Sequence, residues 1–166
     1  MQPRAIPDVL LILFTGLRRT EAARLRWSNV DLKARTLLIP SEETKNHQRH
    51  PLPLSDYLLE RLQARPRLSE YVFPVPGGAG YLVEPRRAME QVRRTSGVQF
   101  TLHDLRRRFL PTADSLDIPH YALKRLANHR DSSDATAGYI VADVERLREP
   151  MQTISVFLAQ LIGIEV

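Results

Sequence analysis

The first apolar stretch of the chain is the run VLLILF at residues 9–14, which Pro7 and Asp8 precede and Gly16 follows. Proline is favoured at the first position of a helix, and glycine commonly lies just beyond the last. The pattern therefore predicts a helix through DVLLILF that Gly16 breaks.

A second helix is predicted directly after this break, with Thr20 as its N-cap and Arg26 near its end. A threonine side chain can accept a hydrogen bond from a free N–H of the first turn. Glu21 then lies in the first turn, where the helix dipole favours a negative charge.

Two strands are predicted next, joined by a polar turn. The residues from Thr36 to Ile39 are rich in strand-forming types, and residues 49–54 read RHPLPL, with Leu52 and Leu54 two apart. The two prolines restrict this second segment to the edge of a sheet. The polar segment SEETKNHQ between them is predicted to form a hairpin tip or a short strand and turn.

Capping residues predict further helices along the rest of the chain. Ser55 precedes one, Gly97 stops another, and Thr101 with Asp104 has the spacing of a capping box at the start of a third. Pro119 begins another short helix, which ends near residue 128.

The remaining pattern indicates one mainly helical domain. FPVPGGAG at residues 73–80 is a loop, and too few apolar residues follow it to build a separate core. Beyond Met151 the chain is strongly apolar and predicts a terminal helix. The expected fold is mainly α with one small antiparallel sheet (α+β), over residues 1–166.

Composition narrows the range of partners. The 166 residues suit a single domain, and 24 Lys+Arg against 19 Asp+Glu give a net charge of +5. Because nucleic-acid affinity rests largely on neutralisation of phosphates, this excess favours a polyanionic partner.

The absence of cysteine removes disulfides, thiolate nucleophiles and cysteine-based metal sites, and agrees with a reducing, cytoplasmic location. The apolar run at residues 9–14 is far too short to span a bilayer. It lacks a small-residue cleavage site, so a signal peptide is not expected.

The stretch TLHDLRRRFL holds the first candidate chemistry. Leu102, Leu105 and Phe109 form an apolar stripe, and His103 and Arg106 lie three residues apart on one face of the same helix. Four further short stretches hold polar groups in unusual places. These groups are Arg18 in TGLRRTE, Lys45 in ETKNHQ, His129 in LANH and Tyr139 in TAGY.

Each of these residues also has an ordinary structural explanation. The alternatives are a helix brace for Arg18, a solvated turn for Lys45, backbone hydrogen bonding for His103, pairing of Arg106 with Asp104 or Glu90, a helix C-terminal cation for His129 and a half-buried core position for Tyr139. Arg107 and Arg108 are interpreted as surface charge or as contacts to backbone phosphates.

Together the same groups are suited to phosphoryl transfer. Arginines donate planar, bidentate hydrogen bonds to phosphate oxygens and stabilise the charge of the transition state. A histidine moves protons near neutral pH, a tyrosine among cations becomes a usable nucleophile, and a lysine protonates a departing alkoxide. Because the side chains bring the positive charge, no metal or other cofactor is expected.

Five motifs occur in the order seen in tyrosine recombinases, the phage-integrase family: TGLRRTEAARLRW, TKN, HDLRRRF, LANH and TAGY. The chain resembles that family from about residue 10 to residue 139. The resemblance implies the family's catalytic-domain fold, mostly helical with a three-stranded antiparallel sheet. It also implies a site-specific DNA recombinase of a prophage or mobile element, which breaks and rejoins DNA.

The resemblance assigns a role to each matching position. Tyr139 matches the nucleophile, which forms a 3′-phosphotyrosyl link to DNA. Arg18 and Arg106 match the two arginines that clamp the phosphate, and Lys45, on the hairpin between the second and third strands, matches the general acid.

Three further positions complete the match. His103 matches the histidine usually assigned as general base towards the tyrosine, His129 matches a hydrogen-bond donor to the phosphate, and Glu21 matches an acidic residue that supports the site. The family usually has glycine where this chain has Asn128. Asparagine tolerates left-handed backbone geometry, so little damage is expected.

The resemblance also bears on organisation and partners. Family members usually carry N-terminal core-binding and arm-binding domains, and we expect these to be absent from this chain. The tail at residues 151–166 is predicted to exchange between protomers, with folding back in cis as the alternative. The expected partner is double-stranded DNA at attachment sites, bound by a homo-oligomer that is a tetramer in the family, with a monomer expected without DNA.

Three other functions stay open. A decayed integrase remnant would bind DNA without cutting it, and residues 113–129 have the pattern of a helix-turn-helix. A type IB topoisomerase would relax DNA through the same chemistry. An RNA-binding helical domain ranks last, because the sequence has no aromatic platform for single strands.

Overall fold

The computed structural model describes residues 7–77, 80–128 and 140–164 of the chain. The elements follow in this order: α1 (Pro7–Thr15), α2 (Arg19–Ala23), β1 (Val30–Asp31), β2 (Thr36–Ile39), β3 (His50–Pro53), α3 (Asp56–Gln63), α4 (Arg86–Ser96), α5 (Leu102–Asp114), α6 (His120–Leu126) and α7 (Ile140–Leu161). Short 3₁₀ turns at Trp27–Asn29 and Ser41–Glu43 precede β1 and follow β2.

The three strands form one antiparallel sheet in the order β1-β2-β3. Leu37 pairs with Val30 on one side and with Leu52 on the other. The strand with two prolines, β3, lies at the edge of this sheet, as its sequence predicts. An edge position suits it because proline has no N–H to donate to a neighbouring strand.

The core lies between the helices and one face of the sheet. Helix α1 packs against α5, where Phe14 and Phe109 are fully buried, and α7 packs against β3, α6, α1 and α5. Burial of each such side chain contributes about 1.5–3 kcal/mol to folding. The mainly helical fold with a small three-stranded antiparallel sheet is therefore confirmed.

The start and end predicted for the second helix were wrong. Helix α2 has Arg18, not Thr20, as its N-cap, and it ends at Ala23. A carboxylate oxygen of Glu21 accepts the backbone N–H of Arg18 at 2.8 Å, so the acidic side chain caps the helix from its third position. Beyond the helix, Arg26 forms an antiparallel bridge with Tyr71.

The predicted caps of α4, α5 and α6 are confirmed. Gly97 ends α4 in the left-handed conformation, with φ +71°. The Thr101 hydroxyl accepts the backbone N–H of Asp104 while the Asp104 carboxylate accepts that of Thr101. Pro119 is the N-cap of α6.

The terminal helix begins earlier than its apolar segment predicts, at Ile140 instead of beyond Met151. Pro150 lies inside this 22-residue helix and does not end it. The helix continues because one face of both halves is buried, with Val144, Leu147, Met151, Ile154 and Leu158 on it. These residues pack on the chain's own core, and exchange of the tail between protomers stays a prediction.

No helix in the described ranges is long and apolar enough to cross a membrane.

Candidate active site

The candidate site begins at the turn that ends α1. The Gly16 N–H donates to the carbonyl of Ile12 at 2.9 Å, and Gly16 has φ +67°. A Cβ at this position would lie 2.6 Å from a ring carbon of Phe109. Glycine is therefore required at this position for two reasons, the left-handed backbone and the close approach of α1 to α5.

Arg106 connects three parts of the chain. Its guanidinium donates to the carbonyl of Gly16 and, at 3.4 Å, to the carbonyl of Ala127. The ordinary pairing with Asp104 is not seen in the described structure, since the Asp104 carboxylate accepts hydrogen bonds from Thr101 instead. Arg106 is thus held by backbone carbonyls of two other segments, and among the described residues no carboxylate forms an ion pair with it.

The surroundings of Arg106 disfavour its positive charge. Burial is the main cause that lowers the pKa of Arg106, the positive charge of Arg18 lowers it further, and Glu21 opposes both. A guanidinium nevertheless stays protonated in proteins. The cost of this charge would be relieved by an anion bound beside Arg18 and Arg106.

Arg18 is oriented by a buried acid. Its Nη1 lies 2.9 Å from Oε1 of Glu21, whose side chain is 1% exposed, against 29% for that of Arg18. The ion pair directs a cation out of the core while it keeps the carboxylate covered. Truncation of Glu21 would leave the arginine free to adopt other rotamers.

One cleft brings three of the predicted site residues together. Arg18, His103 and Arg106 all line this cavity of about 1060 Å³ between α2, α4 and the start of α5. His103 is exposed at its side, and Leu102 and Phe109 anchor the same helix in the core. The predicted face of α5 therefore opens onto a cleft that also holds Arg18.

One side of the cleft, the basic wall, is lined by arginines that the sequence motifs did not identify. Arg86, Arg93 and Arg94 of α4 line it, together with Arg19, and Glu90 is the acidic side chain among them on that helix. The signal was present in the sequence, where two Arg-Arg pairs lie seven residues apart. A spacing of seven returns a helix to nearly the same face.

Lys45 lies outside the cleft lining, on the turn between β2 and β3, as predicted. Its side chain is exposed, whereas the neighbouring Thr44 is 3% exposed. The next residue, Asn46, hydrogen-bonds to Asn128 at the end of α6. The tip of the hairpin is thus attached to the segment that precedes His129.

His129 and Tyr139 lie outside the described residues. The helices on either side of them are joined, because Nε of Arg125 in α6 lies 3.4 Å from Oδ2 of Asp143 in α7. Burial raises the pKa of Asp143, and the charge of Arg146 opposes this shift.

Comparison with known families decides what kind of protein carries this site. The model of the phage integrase family matches residues 1–146. The chain belongs to the phage integrase family. This match extends from the region before α1 into α7, and so covers the turn at Gly16, the cleft and the Lys45 hairpin.

Individual family members are similar over most of the chain. Prophage integrase IntF of Escherichia coli K12 is 27% identical over 172 residues, which cover 99% of this chain and 36% of that protein. Prophage integrase IntA of the same organism is 27% identical over 143 residues, which cover 84% of this chain and 35% of that protein. The chain thus spans about a third of the length of the curated relatives it matches.

The integrase from mycobacterium phage Brujita has a similar fold, with a TM-score of 0.71 and 23% sequence identity. The match covers 91% of this chain and 51% of the integrase. The likeness supports the mostly helical fold with its small sheet.

Proposed function

We propose that this chain is the catalytic domain of a site-specific DNA recombinase that cleaves and rejoins DNA through a 3′-phosphotyrosyl intermediate. The single observation that carries the proposal is the cleft in which Arg18, His103 and Arg106 meet. Two arginines and a histidine at one concave site are the groups needed to bind a phosphodiester and to move a proton beside it.

In the cleavage step, the phenolic oxygen of Tyr139 attacks the scissile phosphorus, and the bond from phosphorus to the 5′-oxygen breaks. The 3′-phosphate becomes joined to the tyrosine, and the 5′-oxygen leaves as a hydroxyl with a proton from Lys45. His103 accepts the tyrosine proton, and His129 donates a hydrogen bond to the phosphate. These roles rest on the family resemblance of the matching positions.

Ligation is the reverse step with a different DNA strand. A 5′-hydroxyl attacks the phosphotyrosine, the tyrosine leaves, and the phosphodiester is restored. One phosphate ester bond is made for each that is broken, so the exchange requires no nucleotide triphosphate.

The arginines act on the charge that develops during both steps. Arg18 and Arg106 would each donate hydrogen bonds to a non-bridging oxygen of the phosphate, and the pentavalent transition state carries more negative charge there than the substrate does. The two carbonyls that hold Arg106 fix its position in advance, so little reorganisation is needed when the phosphate arrives. Because burial and Arg18 both disfavour the charge of Arg106, phosphate binding gains from relief of this cost.

The basic wall of α4 suits the DNA backbone on either side of the reacting phosphate. Arg86 and Arg94 are exposed, and both line the cleft. Contacts of this kind supply affinity without sequence information. We therefore assign α4 to DNA contact next to the reacting phosphate.

The proposal also includes the assembly and the origin of the protein. The chain would act on DNA as a homo-oligomer, a tetramer as in the family, and would belong to a prophage or mobile element.

The experiment that tests this function is covalent capture. The full product of the gene is mixed with supercoiled plasmid and quenched in denaturant, and protein that remains attached to DNA is measured. We expect an adduct from the wild-type protein and none from Tyr139→Phe. Arg106→Ala should also abolish the adduct while DNA binding falls only modestly.

The control results separate the alternatives. DNA binding without any adduct would overturn the recombinase proposal and favour a DNA-binding remnant. An adduct with plasmid relaxation, but without recombinants from any pair of attachment sites, would favour topoisomerase-like activity. Equal loss of cleavage and binding in Arg106→Ala would contradict its assigned role at the phosphate.

A further inference from the structure

Two asparagines join the Lys45 hairpin to the end of α6. The Nδ2 of Asn46 donates to the backbone carbonyl of Asn128 at 3.2 Å and to its Oδ1 at 3.1 Å. In return, Nδ2 of Asn128 donates to Oδ1 of Asn46 at 3.3 Å. The two residues lie 82 positions apart in the chain, so the contact connects otherwise separate elements. We refer to this pair of residues as the Asn clasp.

Asn128 is suited to this role by its backbone. It is 4% exposed and has φ +55°, the left-handed region in which asparagine is tolerated better than most residues. The glycine that the family usually has here would adopt the same backbone but would carry no side-chain amide. The departure from the family pattern thus supplies half of the clasp.

The turn that carries Lys45 is itself well organised. The Thr44 hydroxyl donates to the carbonyl of Gln48 at 2.8 Å and accepts the Gln48 N–H at 3.0 Å. Thr44 is nearly fully buried on one side of Lys45, and Asn46 is bonded to α6 on the other. The backbone at Lys45 is therefore fixed from both neighbours, while its side chain extends into solvent.

The clasp ends beside the arginine of the cleft. Arg106 donates to the carbonyl of Ala127, and Asn46 donates to the carbonyl of the next residue, Asn128. The end of α6 therefore receives hydrogen bonds from both the phosphate-binding arginine and the Lys45 hairpin. The hairpin is thus bonded to the same segment that holds the arginine.

We propose that the Asn clasp is a positioning device that holds Lys45 in place to protonate the leaving 5′-oxygen. The inference rests on the proposed function, in which Lys45 is the general acid, and extends it to Asn46 and Asn128 as residues that act through Lys45. A proton donor contributes only when it lies within hydrogen-bond distance of the leaving oxygen. Loss of the clasp should therefore slow proton donation and leave attack by Tyr139 intact.

Replacement of the leaving oxygen by sulfur isolates this step. A thiolate can leave without a proton, because a thiol is a much stronger acid than an alcohol. The reference pKa of the cysteine thiol is about 8.5. Cleavage rates are measured on matched DNA substrates with a 5′-bridging oxygen or sulfur at the scissile phosphate. The variants are Asn46→Ala, Asn128→Gly and both together, with Lys45→Ala as the benchmark for a lost general acid.

We expect each clasp variant to cleave the oxygen substrate about 10-fold more slowly than the wild type. This is less than the roughly 10²–10⁴-fold that a general acid contributes, because Lys45 is still present but is held less well. On the sulfur substrate each should cleave at the wild-type rate. The double variant should be no slower than Asn46→Ala, because that substitution alone removes every hydrogen bond of the clasp, whereas Asn128→Gly keeps the one to the backbone carbonyl. Gln48→Ala, on the same turn but bonded there through its backbone, should behave as wild type on both substrates.

Two results would overturn the clasp. Equal slowing on oxygen and sulfur substrates would show a general structural effect, and no slowing on either would show that the contact is irrelevant to catalysis. Failure of the proposed function gives a different result, namely no adduct from the wild-type protein on either substrate.

A second measurement tests, without any reaction, whether the clasp fixes the position of the Lys45 hairpin. Because the chain has no cysteine, Lys45→Cys and Gln160→Cys introduce the only two thiols for spin labels. We expect a narrow distribution of label distances without DNA, and a broad one when Asn128→Gly is added. A distribution unchanged by Asn128→Gly would contradict the proposed fixation of the hairpin.

Discussion

At the scale of single residues, the site depends on backbone atoms that no catalytic motif identifies. The Gly16 carbonyl holds Arg106, and this carbonyl is in place because Gly16 adopts a left-handed turn against the ring of Phe109. The positions of Gly16 and Arg106 are thus coupled, although 90 residues separate them. A substitution at either one should reach the other through this contact.

Gly16→Ala should destabilise the protein by about 2–4 kcal/mol, the sum of left-handed strain and overpacking against Phe109. Gly97→Ala is the matched control. It has a similar φ of +71° but nothing within 4 Å of the added Cβ, so only about 1 kcal/mol is expected. Chemical denaturation of both variants measures the difference, and equal losses would contradict the close approach of α1 and α5.

At the scale of elements, α4 and the hairpin between β2 and β3 supply different parts of the proposed chemistry. Helix α4 contributes charge, with several arginines along the cleft. The hairpin contributes one exposed lysine on a turn held by Thr44 and Asn46. Affinity for DNA should therefore follow α4, and the rate of cleavage should follow the hairpin.

Arg94→Ala should weaken DNA binding similarly for all sequences and reduce the slope of log K against log salt by about one. Arg61→Ala removes the same charge from α3, outside the cleft lining, and serves as control with an unchanged slope. The measurement is fluorescence anisotropy of labelled duplex DNA over a range of salt. Similar slopes for both variants would contradict the assignment of α4 as a DNA-contact helix.

The base of the hairpin contains a covered carboxylate. Burial raises the pKa of Glu43 above its ordinary value of 4.5, while Arg24 and Arg26 oppose the shift and Glu42 adds to it. Its Oε2 is buried without a hydrogen-bond partner in the described structure. The Glu43 carboxyl therefore binds its proton more tightly in the folded state than in the unfolded state. Above the folded pKa this carboxyl is ionised, and its ionisation lowers the free energy of unfolding.

Glu43→Gln should therefore raise the thermal unfolding temperature at neutral pH, since it removes the ionisation of a covered group. The gain should fade as pH falls through the folded pKa and should vanish below about 4.5, where both states of the wild type are protonated. Glu42→Gln, at the neighbouring exposed position, should show little of this pH dependence. A gain that is constant with pH would exclude Glu43 ionisation as the cause.

At the scale of the whole molecule, α7 closes the core. Its buried face packs on α1, β3, α5 and α6, and its polar side chains bind the rest of the chain. The Gln152 side chain accepts the N–H of Asp56, and Arg148 donates to the carbonyls of Ala34 and Arg35. In this arrangement a single chain completes its own core.

Ile154→Ala should lower the free energy of unfolding by about 2–5 kcal/mol, because Ile154 is fully buried. Leu161→Ala, at 65% exposure, should change it by less than about 0.5 kcal/mol.

Thermal unfolding at several protein concentrations distinguishes packing of this helix within one chain from its exchange between protomers. A midpoint independent of concentration is expected for packing within one chain. A midpoint that rises with concentration would favour exchange between protomers without DNA.

The sequence alone predicted most elements of the fold and the family of this protein. Apolar spacing, Gly97, Thr101 and the two prolines of β3 are local signals, and the helices and the edge strand that they predict are present. The motifs around Arg18, Lys45 and Arg106 indicated the family, which the match to the phage integrase family then confirmed. His129 and Tyr139 rest on the same motifs alone.

Only the tertiary structure decided what holds those groups. The carbonyls that bind Arg106 and the Asn clasp join residues that lie far apart in the chain, through contacts that local patterns do not encode. The early start of α7 has the same origin, since its buried face outweighs the effect of Pro150. Such contacts depend on which segments pack together, and packing is settled by the whole core at once.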